Sequence, residues 1–224
     1  MELIYGVDST VPANVHLTNG FRLYDWVMRK SCFPSFWGRS IDGARPITAD
    51  EIDFLKSKNC KIACIVRDFS EAVISANKGQ DDAVKAIRKA RRLGIPSNSG
   101  IALFADIPSK WSVNHNWMIS FAGTLLKNGY IPGFIGNTDS SDNFNFDRQC
   151  SHYVQATRAD NQMNAVYWSK APTYRFDPDI WAPYAPSELL PQDMHLWQYG
   201  TIEFHGITAH KNYVQDRSVL QHFL

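Results

Sequence analysis

Apolar runs of strand length, each bounded by turn-forming or charged residues, recur at Leu3 to Val7, Phe36 to Ile41, Lys61 to Val66 and Gly100 to Ala105. Four more follow at Ile131 to Gly136, Asn164 to Trp168, His195 to Tyr199 and Phe204 to Thr208. Several are apolar without alternation, the pattern of strands covered on both faces. Between them the period lengthens to three and four. Thr48 to Glu51 reads as a capping box ahead of Ile52 and Leu55. Asp81 or Asp82 can cap a helix carrying Ala83, Ala86, Ile87, Ala90 and Leu93, with Gly94 at its end. Asn116 can open another with Ile119, Ala122, Leu125 and Leu126 on one side and Gly129 behind it. Strand alternating with helix predicts parallel strands joined by crossovers, and hence an α/β fold: an irregular (β/α)8 barrel of the TIM type, one domain over residues 1–224. The pattern fails from Pro172 to Gln192, a stretch rich in Pro, Asp and aromatics with no amphipathic helix. The last two strand candidates stand too close together for a helical crossover and are expected to pair as a hairpin.

Composition narrows the function more than the fold. The 224 residues suit one barrel, a fold that typically takes about 250. Lys plus Arg number 23 against 22 Asp plus Glu, so no overall field recruits nucleic acid or an anionic membrane. The basic stretch from Lys85 to Arg92 reads as the solvated side of a helix. Cys32, Cys60, Cys64 and Cys150 show no metal-ligand pairing and are expected reduced and buried. The histidines form no HExxH-type pair, and neither a phosphate loop nor a dinucleotide fingerprint occurs, so no metal and no cofactor is expected. No leader and no membrane-length apolar run is visible. The expectation is a soluble monomer, cytoplasmic as synthesised, that reaches any external target by a non-classical route.

The colinear phrases Gly6-Val7-Asp8, Trp37-Gly38-Arg39-Ser40-Ile41, Gly100 to Asp106, Ile131 to Asn137, Ala165-Val166-Tyr167-Trp168, Leu196-Trp197-Gln198-Tyr199 and Gly206-Ile207-Thr208 are similar to the glycoside-hydrolase-like barrel family related to the family 25 lysozymes, the muramidases. The resemblance spans nearly the whole chain and implies a sugar-related site, with a cell-wall polysaccharide such as peptidoglycan as substrate. Two departures stand out. Pro108 occupies the place of the second acidic residue after the fourth strand, and Ala209-His210-Lys211-Asn212 fills the region of the family's last-strand acid.

In such barrels the residues just past the strand ends build the working face. That puts Asp8, Arg39, Asp68, Asp106, Asn137, Ser169 and Gln198 around one mouth. Glycosidic cleavage uses two carboxyl groups, one protonated and one ionised. Asp8 and Asp106 are the expected pair, Asp106 being the acid with its pKa raised by apolar neighbours; both can alternatively anchor loops. Asp68 can supply a missing carboxylate or pair locally with Arg67. Arg39 is expected in the mouth, orienting a carboxylate or sugar hydroxyl or neutralising the aspartates. Trp168, Trp197 and Tyr199 are candidates for sugar stacking or for the core, and Asn137 and Gln198 for binding hydroxyls. The two resulting functions are a glycoside hydrolase acting on an amino-sugar polymer and a non-catalytic glycan-binding module of the same fold.

Overall fold

The computed structural model describes residues 3–30, 32–159, 164–204 and 206–224. Eight strands close into a barrel in sequence order: β1 (Ile4–Ser9), β2 (Phe36–Ser40), β3 (Lys61–Val66), β4 (Ala102–Asp106), β5 (Ile131–Gly136), β6 (Val166–Ser169), β7 (Leu196–Phe204) and β8 (Ile207–Val214). The first seven run parallel. β8 is antiparallel to both its neighbours, with Ile4 opposite Val214 and Phe204 opposite Ile207. The expected hairpin is present but longer than the sequence pattern indicated: Phe204 ends β7, and β8 continues through His210-Lys211-Asn212. Gly206, at φ 78°, stands in the turn between them, where a side chain would be strained.

Helices α1 (Leu23–Arg29), α2 (Ala49–Ser57), α3 (Glu71–Ile74), α4 (Gly79–Arg92), α5 (His115–Lys127) and α6 (Phe146–Thr157) cover the crossovers up to β6. Their ends depart from the expected caps in instructive ways. Thr48 caps α2 by accepting from the Glu51 backbone at 3.2 Å, but the Glu51 side chain does not reach back; it accepts from Arg39 and from the Ala13 backbone instead. Helix α4 begins at Gly79, before either aspartate. Asp82 is buried on it, accepting from Trp117 Nε1 at 3.0 Å and Lys85 Nζ at 3.1 Å. Asn114, two residues before Asn116, caps α5.

The core divides by strand parity. Ile4, Phe36, Ala63, Ile65, Ala102, Phe104, Ile135, Val166, Trp168, Leu196 and Val214 form the cluster inside the barrel, one or two from each strand. Their alternates, among them Val7, Trp37, Leu103 and Phe134, pack outward against the helices. Val219, Leu220 and Phe223, in and just after the 3-10 turn Arg217–His222, join the inner cluster and plug the floor. The same final stretch closes on β3 through Ile62, whose N–H and carbonyl both bond to Leu224. All four cysteines are buried and free. Among the described residues no helix is long and apolar enough to cross a membrane.

Candidate functional site

Counting upward by twos from the inner cluster locates the mouth. β1 continues from Ile4 through Gly6 to Asp8, β2 from Phe36 through Gly38 to Ser40, β3 from Ile65 to Arg67, and β4 from Phe104 to Asp106. Two steps beyond Ile135 and Trp168 come Asn137 and Lys170, and two beyond Leu196 comes Gln198. β8 runs the other way, so its inward residues above Val214 are Asn212 and then His210, which stands opposite Asp8 in register.

The charged side chains of this ring make one network. Arg67 donates from Nε to Asp106 Oδ2 at 2.7 Å and from Nη2 to Asp8 Oδ2 at 3.4 Å, so one guanidinium bridges the two carboxylates. Lys170 Nζ pairs with the other Asp106 oxygen and also donates to the Ile107 carbonyl at 3.3 Å. Asp8 Oδ1 accepts from Asn212 Nδ2 at 2.9 Å, and Asn212 Oδ1 accepts from Trp168 Nε1 at 3.0 Å. That chain fixes the Asn212 amide orientation and ties Asp8 to the aromatic floor, where Trp168 meets Phe104 edge-on at 5.6 Å. Gly38 is required beside it: a Cβ there would lie 2.7 Å from the Asp8 Cβ and 3.1 Å from the Trp168 ring. Asp8 is 2% exposed, while the side chains of Arg67, Lys170 and Asp106 keep 23%, 17% and 12% of their surface. Solvent therefore reaches the cations and Asp106 more readily than Asp8. A small cavity of about 230 Å³, bounded by Thr10, Ser40, Asp42 and Arg45, opens beside Arg67.

The electrostatics overturn one expectation. Burial does push the Asp106 pKa upward, but the charges of Lys170 and Arg67 and their hydrogen bonds outweigh it and bring it from 3.8 down to about 2. Asp106 is ionised at neutral pH. Burial acts in the expected direction; the two cations were not visible in the sequence.

Asp8 and Asp106 do share one network, and Gln198 lies on its inward row opposite Asn212. Arg39 does not belong to it. It lies on the outward row of β2, fully buried, with Nε to Glu51 Oε1 at 2.7 Å, Nη2 to Glu51 Oε2 at 3.1 Å and Nη1 to the Ser9 carbonyl at 2.9 Å. It fastens β2 to α2. Asp68 likewise falls on the outward parity: its side chain is exposed and its N–H donates to Asp42 Oδ2 at 3.3 Å, while the preceding Arg67 turns in. The local Arg67–Asp68 pair is replaced by pairs across the barrel. Tyr199 faces out and stacks on Tyr213 at 4.2 Å, away from the mouth. Trp168 faces in but is 1% exposed, forming the floor and not a stacking platform. Asn137 is on the inward row, yet its amide is engaged within its own loop, donating to Asp142 and accepting from the Asp139 N–H. Ser169, on the outward row, is fully buried and bonded to Thr138 at 2.6 Å.

Four site residues escaped the sequence reading: Arg67, Lys170, Asn212 and His210. Parity would have found the first two, each two positions beyond an apolar inward residue. The other two lie on a reversed strand. His210 Nδ1 is buried with no hydrogen-bond partner among the described residues. No cluster of His, Cys, Asp and Glu among the described residues is arranged to hold a metal.

No protein-family model matches the sequence, and comparison with curated proteins finds no significant match. Solved structures do match. A family GH25 lysozyme from Aspergillus fumigatus shares 9% identity at a TM-score of 0.53, with 98% of each chain covered. A Tat-secreted protein of Mycobacterium tuberculosis, in complex with L-tartrate, shares 12% at a TM-score of 0.62, covering 97% of this chain and 98% of that one. Both show a common fold. An uncharacterized protein of B. stearothermophilus shares 31% identity at a TM-score of 0.78, over 99% of this chain and 100% of that one. The chain belongs to the same family as that B. stearothermophilus protein, a family built on the closed eight-stranded α/β barrel that it shares more distantly with a GH25 lysozyme.

Proposed function

We propose that the mouth is a glycoside-hydrolase-type site for a cell-wall amino-sugar polymer, peptidoglycan being the candidate substrate. The observation that carries the reading is the pair of strand-end carboxylates, Asp8 and Asp106, held on one guanidinium at the C-terminal mouth of the barrel. The shared fold with a lysozyme supports the substrate class. A cleavage by two carboxyl groups needs their environments to differ. Asp106, ionised between two cations, takes the role of nucleophile or stabiliser of the oxocarbenium-like charge. Asp106 is then not the proton donor that the sequence suggested, and Asp8 is the second carboxyl of the pair. Arg67 keeps the two groups at a fixed separation, and Asn212 sets the rotamer of Asp8.

A second reading, glycan binding without cleavage, is favoured by the clamp itself. Lys170 and Arg67 occupy both oxygens of Asp106, and a nucleophile must shed at least one of them. Incubating the protein with peptidoglycan sacculi and measuring new reducing ends separates the two. Hydrolysis predicts release that Asp8→Asn and Asp106→Asn each abolish. Sacculus binding without any release, lost in the same variants, establishes the binding reading.

A further inference from the structure

Two cavities lie away from the mouth, beside the strands that no helical crossover joins. β7, β8 and β1 follow one another without a helical crossover, and their outward faces are covered by the long segment between β6 and β7 and, at Phe204, by Trp26 of α1 at 4.5 Å. That segment packs Tyr174 and Trp181 edge-on against Trp197 at 5.7 and 6.0 Å, and Asp177 pairs with Lys211 of β8. It leaves the lower part of β1 and β8 open. There a cavity of about 890 Å³ is bounded by Tyr5, Tyr213, Phe33, Asp177, Gln192 and Arg217. A second, of about 490 Å³, reaches to His195 and His222 and shares Gln192, Gln215 and Asp216 with the first. The two form one trough.

Its lining is specific in kind. Its rings include Tyr5, Tyr213 and Phe33, the last at 66% exposure. Planar amides (Gln192, Gln215), carboxylates (Asp177, Asp193, Asp216) and one guanidinium (Arg217) also line it. Flat apolar faces beside fork-shaped donors and acceptors match a pyranose, which presents a C–H face and a rim of hydroxyls. Three carboxylates against one guanidinium disfavour a polyanion. The volume of each cavity lies within the roughly 300–1,000 Å³ of ordinary ligand sites, and their continuity suits an extended chain.

We propose that this trough is a second, non-catalytic glycan-binding site that holds a strand of the polymer recognised at the mouth, so that the protein stays on an insoluble substrate by avidity. The proposal rests on the glycan reading of the mouth, and the two can fail separately. Backbone hydrogen exchange of the wild type with chitohexaose should show protection at residues 32–35 and 213–217, apart from any protection at the mouth. The Phe33→Ala/Arg217→Ala variant, altered only at exposed side chains, should lose that protection and bind sacculi about tenfold more weakly while keeping protection around Asp8 and Asp106. Protection confined to the mouth, or wild-type sacculus binding by the variant, overturns the trough and leaves the mouth. Protection confined to the trough overturns the mouth instead, and no protection at either place overturns both.

Discussion

Replacing Asp106 by Asn tests the electrostatics of the mouth most directly, because Asn keeps the shape and removes the charge that Lys170 and Arg67 share. The Asp106 carboxyl is depressed from 3.8 to about 2 in the folded protein. At about 1.4 kcal/mol per pKa unit, that difference corresponds to about 2 kcal/mol of stability at neutral pH. The sign follows from the direction of the shift. A carboxyl whose folded pKa lies below its unfolded pKa stabilises fully above the unfolded value, and the contribution is lost as pH falls from about 4 towards 2. Wild type should therefore exceed Asp106→Asn by at least about 2 kcal/mol at pH 7, since the variant also leaves Lys170 short of its counter-ion. The gap should narrow steadily below pH 4. Urea unfolding followed by tryptophan fluorescence, extrapolated at pH 7, 5, 4 and 3, measures it. In a chain of this length the loss at pH 7 should appear as a drop in Tm of roughly 4–8 °C. An Asn variant as stable as wild type at pH 7, or a gap that does not change with pH, would refute the clamped-carboxylate account.

Other outcomes follow from the same geometry. Arg39→Met strands the fully buried Glu51 carboxylate and should cost about 3–5 kcal/mol in urea unfolding, whereas the double change with Glu51→Leu should recover much of it; recovery of none would mean that Arg39 acts by some contact other than the pair. Gly38→Ala brings a methyl to 2.7 Å from the Asp8 Cβ and should cost about 1–3 kcal/mol while displacing Asp8, seen as loss of glycan binding or cleavage out of proportion to the unfolded fraction. Trp168→Phe removes the Nε1–H that holds the Asn212 amide, and a crystal structure should show Asn212 free to flip, with a stability loss of about 1 kcal/mol or more; an unmoved Asn212 and unchanged stability would count against the Trp168–Asn212–Asp8 chain.

The barrel was legible in the sequence because strand-length apolar runs and amphipathic helices report burial on two faces, a property of local composition. Lys61 to Val66 and Ile131 to Gly136 match β3 and β5 at both ends. The hairpin was legible too, from the distance between two runs. The side on which each strand-end residue falls was not, and a one-residue step reverses it. "Just past the strand" admitted Arg39, Asp68 and Ser169, all on the outward parity, and passed over Arg67 and Lys170, which turn in. The parity was nonetheless encoded. A narrow barrel accepts large rings at few inward positions, so Gly6, Gly38, Ala63, Ala102 and Gly133 mark the inward row where neighbouring strands place Phe36, Phe104 and Trp168.

Strand reversal hid the rest. In a parallel strand the inward residues nearest the mouth come last, so reading forward to the end of an apolar run reaches the site. β8 runs downward, and its mouth residues precede its floor residues: His210, then Asn212, then Val214 beside the C-terminal plug. A search for an acidic residue at the strand's end looks at the wrong end of β8. What the strand supplies is an amide, and its placement has a physical reason. Asn212 can accept from the Trp168 indole and donate to Asp8 at the same time, which a carboxylate in its place, having no N–H, could not do. The amide on β8 and the buried position of Asp8 are thus two sides of one arrangement. The amide lets a single carboxyl be buried at the inner wall, while the cations gather on the solvent side around Asp106.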